Sequence, residues 1–337
     1  MKNDDKILLA HGGGGKLTHD LIQKVMLKYF GNPILSPLKD SAVFELEGQH
    51  LAFTTDSYVV KPLFFPGGDI GKLAVAGTIN DLAVVGANPL YLSCGLIIEE
   101  GLELGLLEKV LESMSETARN AGVQIITGDT KVVEKKSADQ LFINTAGIGI
   151  IAPDRCLDTV GVKVGDKILI NGGLGEHESA IISSREGFDF DSEVVSDCAP
   201  LHDLIQSVLS VSRKVKWMRD PTRGGLAAAL NELVEGKPFG IRLQETQIPV
   251  KDTVKGICEL LGFEPLYMAN EGKVVVIVSA EDAELVLEVM KAHPLGGDSC
   301  FIGEIVSEPM GRVVMKTEIG GHRIIDMPLG EMLPRIC

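Results

Sequence analysis

Leu141-Phe-Ile-Asn-Thr-Ala-Gly-Ile-Gly-Ile-Ile151 is an apolar run of strand type, and between Pro153 and Gly165 the pattern is broken by Pro, Asp, Gly and Lys. A second apolar strand then opens at Lys167-Ile-Leu-Ile170. This passage divides the chain, because one pattern of elements ends here and another begins. Upstream, apolar runs predict strands at Ala42 to Leu46, Leu51 to Thr55, Leu90 to Ile98 and Val123 to Thr127. Helical spacing predicts helices at Ile70 to Val85, with its small residues Ala74, Ala76 and Ala83, and at Leu104 to Ala121. Ahead of these, Leu17, Leu21, Ile22, Val25 and Tyr29 recur as one amphipathic helix after the tract His11-Gly-Gly-Gly-Gly-Lys16.

Downstream of the break, helices fit Glu178 to Glu186, Leu201 to Val211, Leu226 to Val234, Val254 to Leu261 and Ala283 to His293. Strands fit Ile241 to Gln244, Lys273 to Ser279, Cys300 to Val306 and Val313 to Thr317, with Ile324 to Met327 as a last edge strand. The expectation is a mixed α/β protein of two domains, residues 41–155 and 156–318, preceded by a glycine-rich segment and helix at 1–40. Residues 319–337 form a loose tail, since Pro328, Gly330 and Pro334 oppose regular structure.

The composition narrows the partners. Against 32 basic side chains stand 47 acidic ones, for a formal charge of -15, and no Lys/Arg run offsets it; this argues against nucleic acid. The longest uncharged run, Leu82 to Ile98, holds Gly86, Pro89 and Gly95 and is too short for a membrane span. Met1 to Lys6 lacks the layout of a secretory signal, so a cytoplasmic protein is expected. Six cysteines stand singly at 94, 156, 198, 258, 300 and 337, without the pairing of a zinc site or a disulfide framework.

The chemistry-bearing residues lie at turns. Gly12, Gly13, Gly14, Gly15 and Lys16 match neither standard nucleotide fingerprint, yet four glycines and a lysine at a helix start can cover phosphates; the alternative is a flexible entry segment. Asp40, Asp56, Asp81, Asp129 and Asp220 sit in turn-like contexts, several of them at the ends of apolar runs. Each could be a cap or turn former; together they are the hard oxygen ligands that suit Mg²⁺ bound to a substrate's phosphates.

Thr54-Thr-Asp-Ser57, Phe65-Pro-Gly-Gly-Asp-Ile-Gly71, Thr78-Ile-Asn-Asp-Leu-Ala83, Thr127-Gly-Asp-Thr-Lys131, Asp220-Pro-Thr-Arg-Gly-Gly225, Asn270-Glu-Gly-Lys273 and Pro334-Arg-Ile-Cys337 resemble the HypE family of hydrogenase maturation factors over essentially the whole chain. The aspartate motifs alone are similar to a wider group of ATP-using enzymes, including aminoimidazole ribonucleotide synthetase, selenophosphate synthetase and thiamine monophosphate kinase. The resemblance implies a homodimer whose amino-terminal sheets join into a barrel, with Mg-ATP bound between domains near the dimer seam. It implies a carbamoyl group loaded onto Cys337 by the carbamoyltransferase HypF, ATP-dependent dehydration of that group to a thiocyanate, and delivery of cyanide to a HypC-HypD iron scaffold complex. On this resemblance Asp40, Asp56, Asp81, Asp129 and Asp220 are the metal-ligand candidates. Asn80 and the glycine tract join them at the nucleotide, and Lys131 and Glu271 are the candidates for proton transfer. Where many relatives carry two adjacent aspartates this chain has Lys39-Asp40, which leaves Asp40 as the ligand of that pair.

The rival readings are a small-molecule synthetase or kinase of the wider group, and a non-enzymatic thiol carrier. Neither synthetase nor kinase chemistry gives Pro334-Arg-Ile-Cys337 a role, and no cysteine precedes Cys94 as selenophosphate synthetase usually requires. A mere carrier has no need of an aspartate set for Mg-phosphate chemistry.

Overall fold

The computed structural model describes residues 6–153, 155, 157–185 and 193–328. The N-terminal segment contains α1 (Lys16–Leu21), a π turn (Ile22–Met26) and α2 (Leu27–Phe30), followed by β1 (Ala42–Leu46) and β2 (Gln49–Tyr58). A small ribbon of β3 (Phe64–Phe65) and β4 (Gly68–Asp69) leads into α3 (Ile70–Val84). Next come β5 (Ala87–Glu99), α4 (Leu104–Asn120), β6 (Gln124–Val133) and β7 (Leu141–Ile151), and the five longer strands form a sheet ordered β1-β2-β7-β5-β6.

The single helix expected over residues 17–29 is interrupted by the π turn. It starts at Gly15, which has no side chain to cap it, and its apolar residues Val25, Met26, Tyr29 and Phe30 are exposed, so no packing enforces a regular ladder. The opposite holds for α3. Asp69 caps it by accepting from the backbone N–H groups of Gly71 (2.7 Å) and Lys72 (3.2 Å), and nearly every residue of the helix is buried. A helix apolar all round belongs in a core, and its small residues permit close approach. Gly77 faces the Tyr58 ring and hydroxyl, where any Cβ would collide. Along β7, buried and less buried residues alternate, so that Leu141, Ile143, Thr145, Gly147 and Gly149 turn one face inward.

The second half contains β8 (Lys167–Ile170), α5 (Glu176–Ser183), α6 (His202–Val211), β9 (Val215–Arg219), α7 (Gly225–Val234) and β10 (Gly240–Gln244). It continues with α8 (Asp252–Leu261), β11 (Val275–Val278), α9 (Ala283–Ala292), β12 (Cys300–Val306), β13 (Val313–Lys316) and β14 (His322–Ile325). Its seven-stranded sheet runs β14-β13-β10-β12-β8-β11-β9. The inner strands β8 and β11 are covered on both faces, as their unbroken apolar sequence demands: Ile168, Ile170, Val275 and Ile277 pack with α7, while Leu169, Val276 and Val278 pack with α6 and α9.

The two halves share their cores. Ile181, Ile182, Cys198 and Ala269 of the second half belong to the cluster built around α3 and α4, and Ala83 and Val84 of α3 join the cluster around α6. Among the described residues, no helix is long and apolar enough to cross a membrane.

Candidate active site

Between the two halves lies a cleft of ≈ 970 Å³ whose walls include Gly14, Asp40, Thr54, Asp56, Asp81, Trp217, Arg219, Arg223 and Glu271. Asp40 precedes β1, Asp81 sits in the last third of α3, and Asp220 directly follows β9. One carboxylate oxygen from each lies within 4.8 Å of the other two. Thr54 Oγ1 on β2 is 2.8 Å from Asp81 Oδ2 and 3.0 Å from the Asp40 carbonyl oxygen, so its one proton serves either acceptor. Ser41 donates to the Asp81 carbonyl at 2.8 Å, tying the entry to β1 against the helix.

Three carboxylates this close, Asp220 buried and Asp40 and Asp81 partly so, cannot all carry full charge with the single Arg219 guanidinium beside them. Burial foremost, then Asp220, Asp40 and Asp56, pushes the Asp81 carboxyl well above its ordinary range. Asp220 is pushed up to about 7, by burial and then Asp40, with Arg219 opposing. Asp40 is also raised by burial, against the pull of Arg219. A donor set of hard oxygens short of positive charge fits a divalent cation of the Mg²⁺ type.

Glu271 stands in the same cleft on a clamped loop. Its backbone N–H donates to Asp197 Oδ1 at 3.1 Å, and its carbonyl accepts from Asn80 Nδ2 at 3.3 Å. Asp197 in turn faces the Lys273 ammonium at 3.2 Å, which also meets Glu176 at 3.1 Å. Burial pulls the Lys273 proton affinity down, but Asp197 and Glu176 outweigh it and the net shift is upward, so the lysine stays charged. Asn270 bonds Gly175 N–H (2.8 Å) and the Pro221 carbonyl (3.0 Å), which fixes this loop to the turn carrying Asp220. Burial, then Asp220, Asp197 and Asp56, raise the Glu271 carboxyl well above its usual range, against Arg223.

Family models of the AIR synthase related protein match this chain at residues 38–151 for the N-terminal domain and 163–316 for the C-terminal domain. Carbamoyl dehydratase HypE of Bradyrhizobium diazoefficiens is 51% identical over 330 residues, covering 98% of this chain and 95% of the relative. The chain belongs to the HypE family. Among solved structures, HypE in a HypE-HypF complex superimposes with a TM-score of 0.86 at 46% identity, covering 91% of this chain and 99% of that one. HypE in complex with ATP superimposes with a TM-score of 0.82, also at 46% identity, covering 98% of this chain and 100% of that one.

Of the residues singled out from the HypE-like motifs, Asp40, Asp81, Asp220 and Glu271 converge on the cleft. Asp56 lines it from within β2 and lies 3.5 Å from Arg223, outside the carboxylate trio. Asp129 and Lys131 are not brought there by this chain. They lie inside β6, exposed, at the far edge of the sheet: Asp129 pairs with Gly95, Gly95 with Asn144, and Asn144 with Ser57 beside Asp56. Three strand spacings amount to about 14 Å along the sheet. Three of the five turn-like contexts do not hold: Asp56 and Asp129 are mid-strand, and Asp81 lies within helix α3.

Asn80 is buried and its amide is engaged by Ala199, Leu201 and Glu271, so it braces the Glu271 loop. Gly14 lines the cleft and packs on Arg223, where a Cβ would come within 2.8 Å, and its φ of +75° is one that glycine tolerates. Lys16 is exposed; its N–H donates to the Pro328 carbonyl at 2.9 Å. Lys39 turns from the trio toward the Leu157 carbonyl (3.4 Å) and Asp158 (4.0 Å). Gly12, Gly13 and Gly15 do not line the cleft. Cys337 and the Pro334-Arg-Ile-Cys ending lie outside the described residues.

The cleft also holds Thr54, Arg219 and Glu232, and the Asp197–Lys273–Glu176 group braces the Glu271 loop; Arg219, Glu232, Asp197 and Glu176 lie outside the HypE-like motifs. Thr54 and Lys273 carry a visible signal, as the start of Thr54-Thr-Asp-Ser57 and the end of Asn270-Glu-Gly-Lys273.

Proposed function

We infer that this chain is an ATP-dependent carbamoyl dehydratase of nickel-iron hydrogenase maturation. The observation that carries this is the trio of Asp40, Asp81 and Asp220 facing Glu271 in one cleft, in a chain 51% identical to a carbamoyl dehydratase. The substrate is the S-carbamoyl group on Cys337. Phosphoryl transfer from ATP to the amide oxygen turns a poor leaving group into phosphate; the carbon–oxygen bond breaks, both amide protons depart, and a thiocyanate remains with ADP and inorganic phosphate.

Asp40, Asp81 and Asp220 would hold a Mg²⁺ ion, which supplies charge neutralisation at the transferring phosphoryl group. Glu271 takes an amide proton: the burial and neighbouring carboxylates that raise its proton affinity make its ionised form an effective base. Arg223 and the glycine tract at Gly14 cover the phosphates. Asp129 and Lys131 enter the site in a homodimer, brought by the β6 edge of a second copy as the two sheets close into a barrel. The exposed apolar edge residues Ile125, Ile126 and Val132 support that pairing. From Pro328, the nine residues to Cys337 reach about 30 Å when extended, which lets the thiol visit both HypF and its own cleft. The solved HypE-HypF complex supports HypF as the carbamoyl source; the resemblance to the family implies that the cyano group then passes to HypC-HypD in the cytoplasm.

The test is the mass of the C-terminal peptide after incubation with HypF, its carbamoyl donor and ATP. Carbamoyl addition at Cys337, followed by loss of one water that a non-hydrolysable ATP analogue blocks, is expected. An active HypF that leaves Cys337 unmodified would overturn the reading.

A further inference from the structure

Arg219 ends β9, immediately before Asp220, and spans two acids in different parts of the fold. Its Nε lies 2.8 Å from Asp40 Oδ1, and its Nη2 lies 2.9 Å from Glu232 Oε2 on α7. The guanidinium is three-quarters buried and Asp40 nearly nine-tenths buried, so neither side chain is a solvated surface partner. Glu232 closes the geometry. It stands two turns into the helix that follows Asp220-Pro-Thr-Arg-Gly-Gly225, so the Arg219–Glu232 pair ties strand to helix across the loop that presents Asp220. Through its other arm the same guanidinium reaches the first half of the chain at Asp40.

A carboxylate has two oxygens and about four acceptor positions. With Oδ1 of Asp40 accepting from Arg219, the carboxylate still has acceptor positions for a cation shared with Asp81 and Asp220, and the rotamer of Asp40 is set before any cation arrives. A planar guanidinium can hold two carboxylates in fixed directions; a lysine ammonium, a point charge on a flexible stem, cannot. We propose that Arg219 is a positioning residue for the divalent-cation site, orienting the Asp40 carboxylate while Glu232 fixes the guanidinium from behind. This rests on the assignment of the trio as a cation site. Outer partners of this kind typically contribute 10- to 100-fold to metal affinity.

A contrary role is physically possible and makes the opposite prediction. A guanidinium that only neutralised the trio would compete with the incoming cation, and removing it would tighten binding. The experiment is a titration of the purified full chain with Mn²⁺, followed by the electron paramagnetic resonance signal of the free ion and repeated with Mg²⁺ as competitor. Arg219→Met is expected to bind Mn²⁺ about 10- to 100-fold more weakly. Arg219→Lys, which keeps the charge and loses the fork, is expected to stay weakened. Glu232→Gln carries the test should Arg219→Met fail to fold; it touches no member of the trio, and a severalfold loss with an unchanged melting temperature is expected. Affinity in Arg219→Met equal to or tighter than the parent, or unchanged affinity in Glu232→Gln, overturns the proposal. Asp81→Asn separates the two layers: if it too binds Mn²⁺ like the parent, the cation site itself is wrong, whereas its failure beside an unaffected Arg219→Met refutes the role of Arg219 alone.

Discussion

His177 illustrates what a single buried side chain imposes. It is fully enclosed in α5, with Nδ1 2.8 Å from Ser196 Oγ, Nε2 lacking a partner among the described residues, and the Phe65 ring edge-on at 5.5 Å. Burial lowers its pKa to about 4, with Asp197 pulling the other way. The unfolded chain, near 6.5, therefore binds a proton that the folded chain refuses. The contribution is fully present above pH 6.5 and is lost as pH falls toward 4, by about 3 kcal/mol. In urea unfolding at pH 7 and pH 4, His177→Gln should lose that much less stability than the parent across the interval; equal losses would exclude His177 as the source. A histidine in a sequence tempts a metal reading, and only the enclosure by Phe65 and Ser196 decides against it here.

At the scale of elements, β6 is the strand on which structure and proposed chemistry meet. Among the described residues it is a sheet edge with one side unpaired, and it carries both Asp129 and Lys131, which point to the same face two residues apart. Val132→Lys should convert a dimer to a monomer in sedimentation velocity and abolish dehydration of carbamoylated Cys337, while the Asp40–Asp81–Asp220 trio, remote from the substitution, still binds cation. A variant that remained dimeric and fully active would remove β6 from the interface.

The strand was legible only to Thr127, because Gly128-Asp129 reads as a turn. Gly128 in fact packs against the Cys94 carbonyl where no Cβ fits, next to a bulge at Ile126, and the strand runs on to Val133. β9 is not legible in the sequence for a different reason. Val215-Lys-Trp-Met-Arg219 intersperses charges in a five-residue edge strand, and no periodicity survives in so short a run. The long apolar runs of β5, β7 and β12 and the helical spacing of α3, α4 and α9 were legible because each buries a continuous face. Of the site, the carboxylates could be read from their motifs; Arg219 could not, since it sat in an element that left no pattern.

For the whole molecule, the shared core means that the cleft has walls which stand or fall together. Cation and nucleotide held between the halves should stabilise both. Mg-ATP is expected to raise the melting temperature of the entire chain in one transition, and Asp81→Asn should lose most of that rise. Two separate transitions, with only one responding to nucleotide, would contradict it. The same continuity bears on how such a sequence can change over time. Ile181, Ile182, Cys198 and Ala269 fill the cluster around α3 although more than 90 residues separate them from that helix. A methyl group gained or lost on either side must be answered on the other, so the two halves drift only as a matched pair, and grafting one of them onto a foreign mate would leave a mismatched seam beneath the carboxylates.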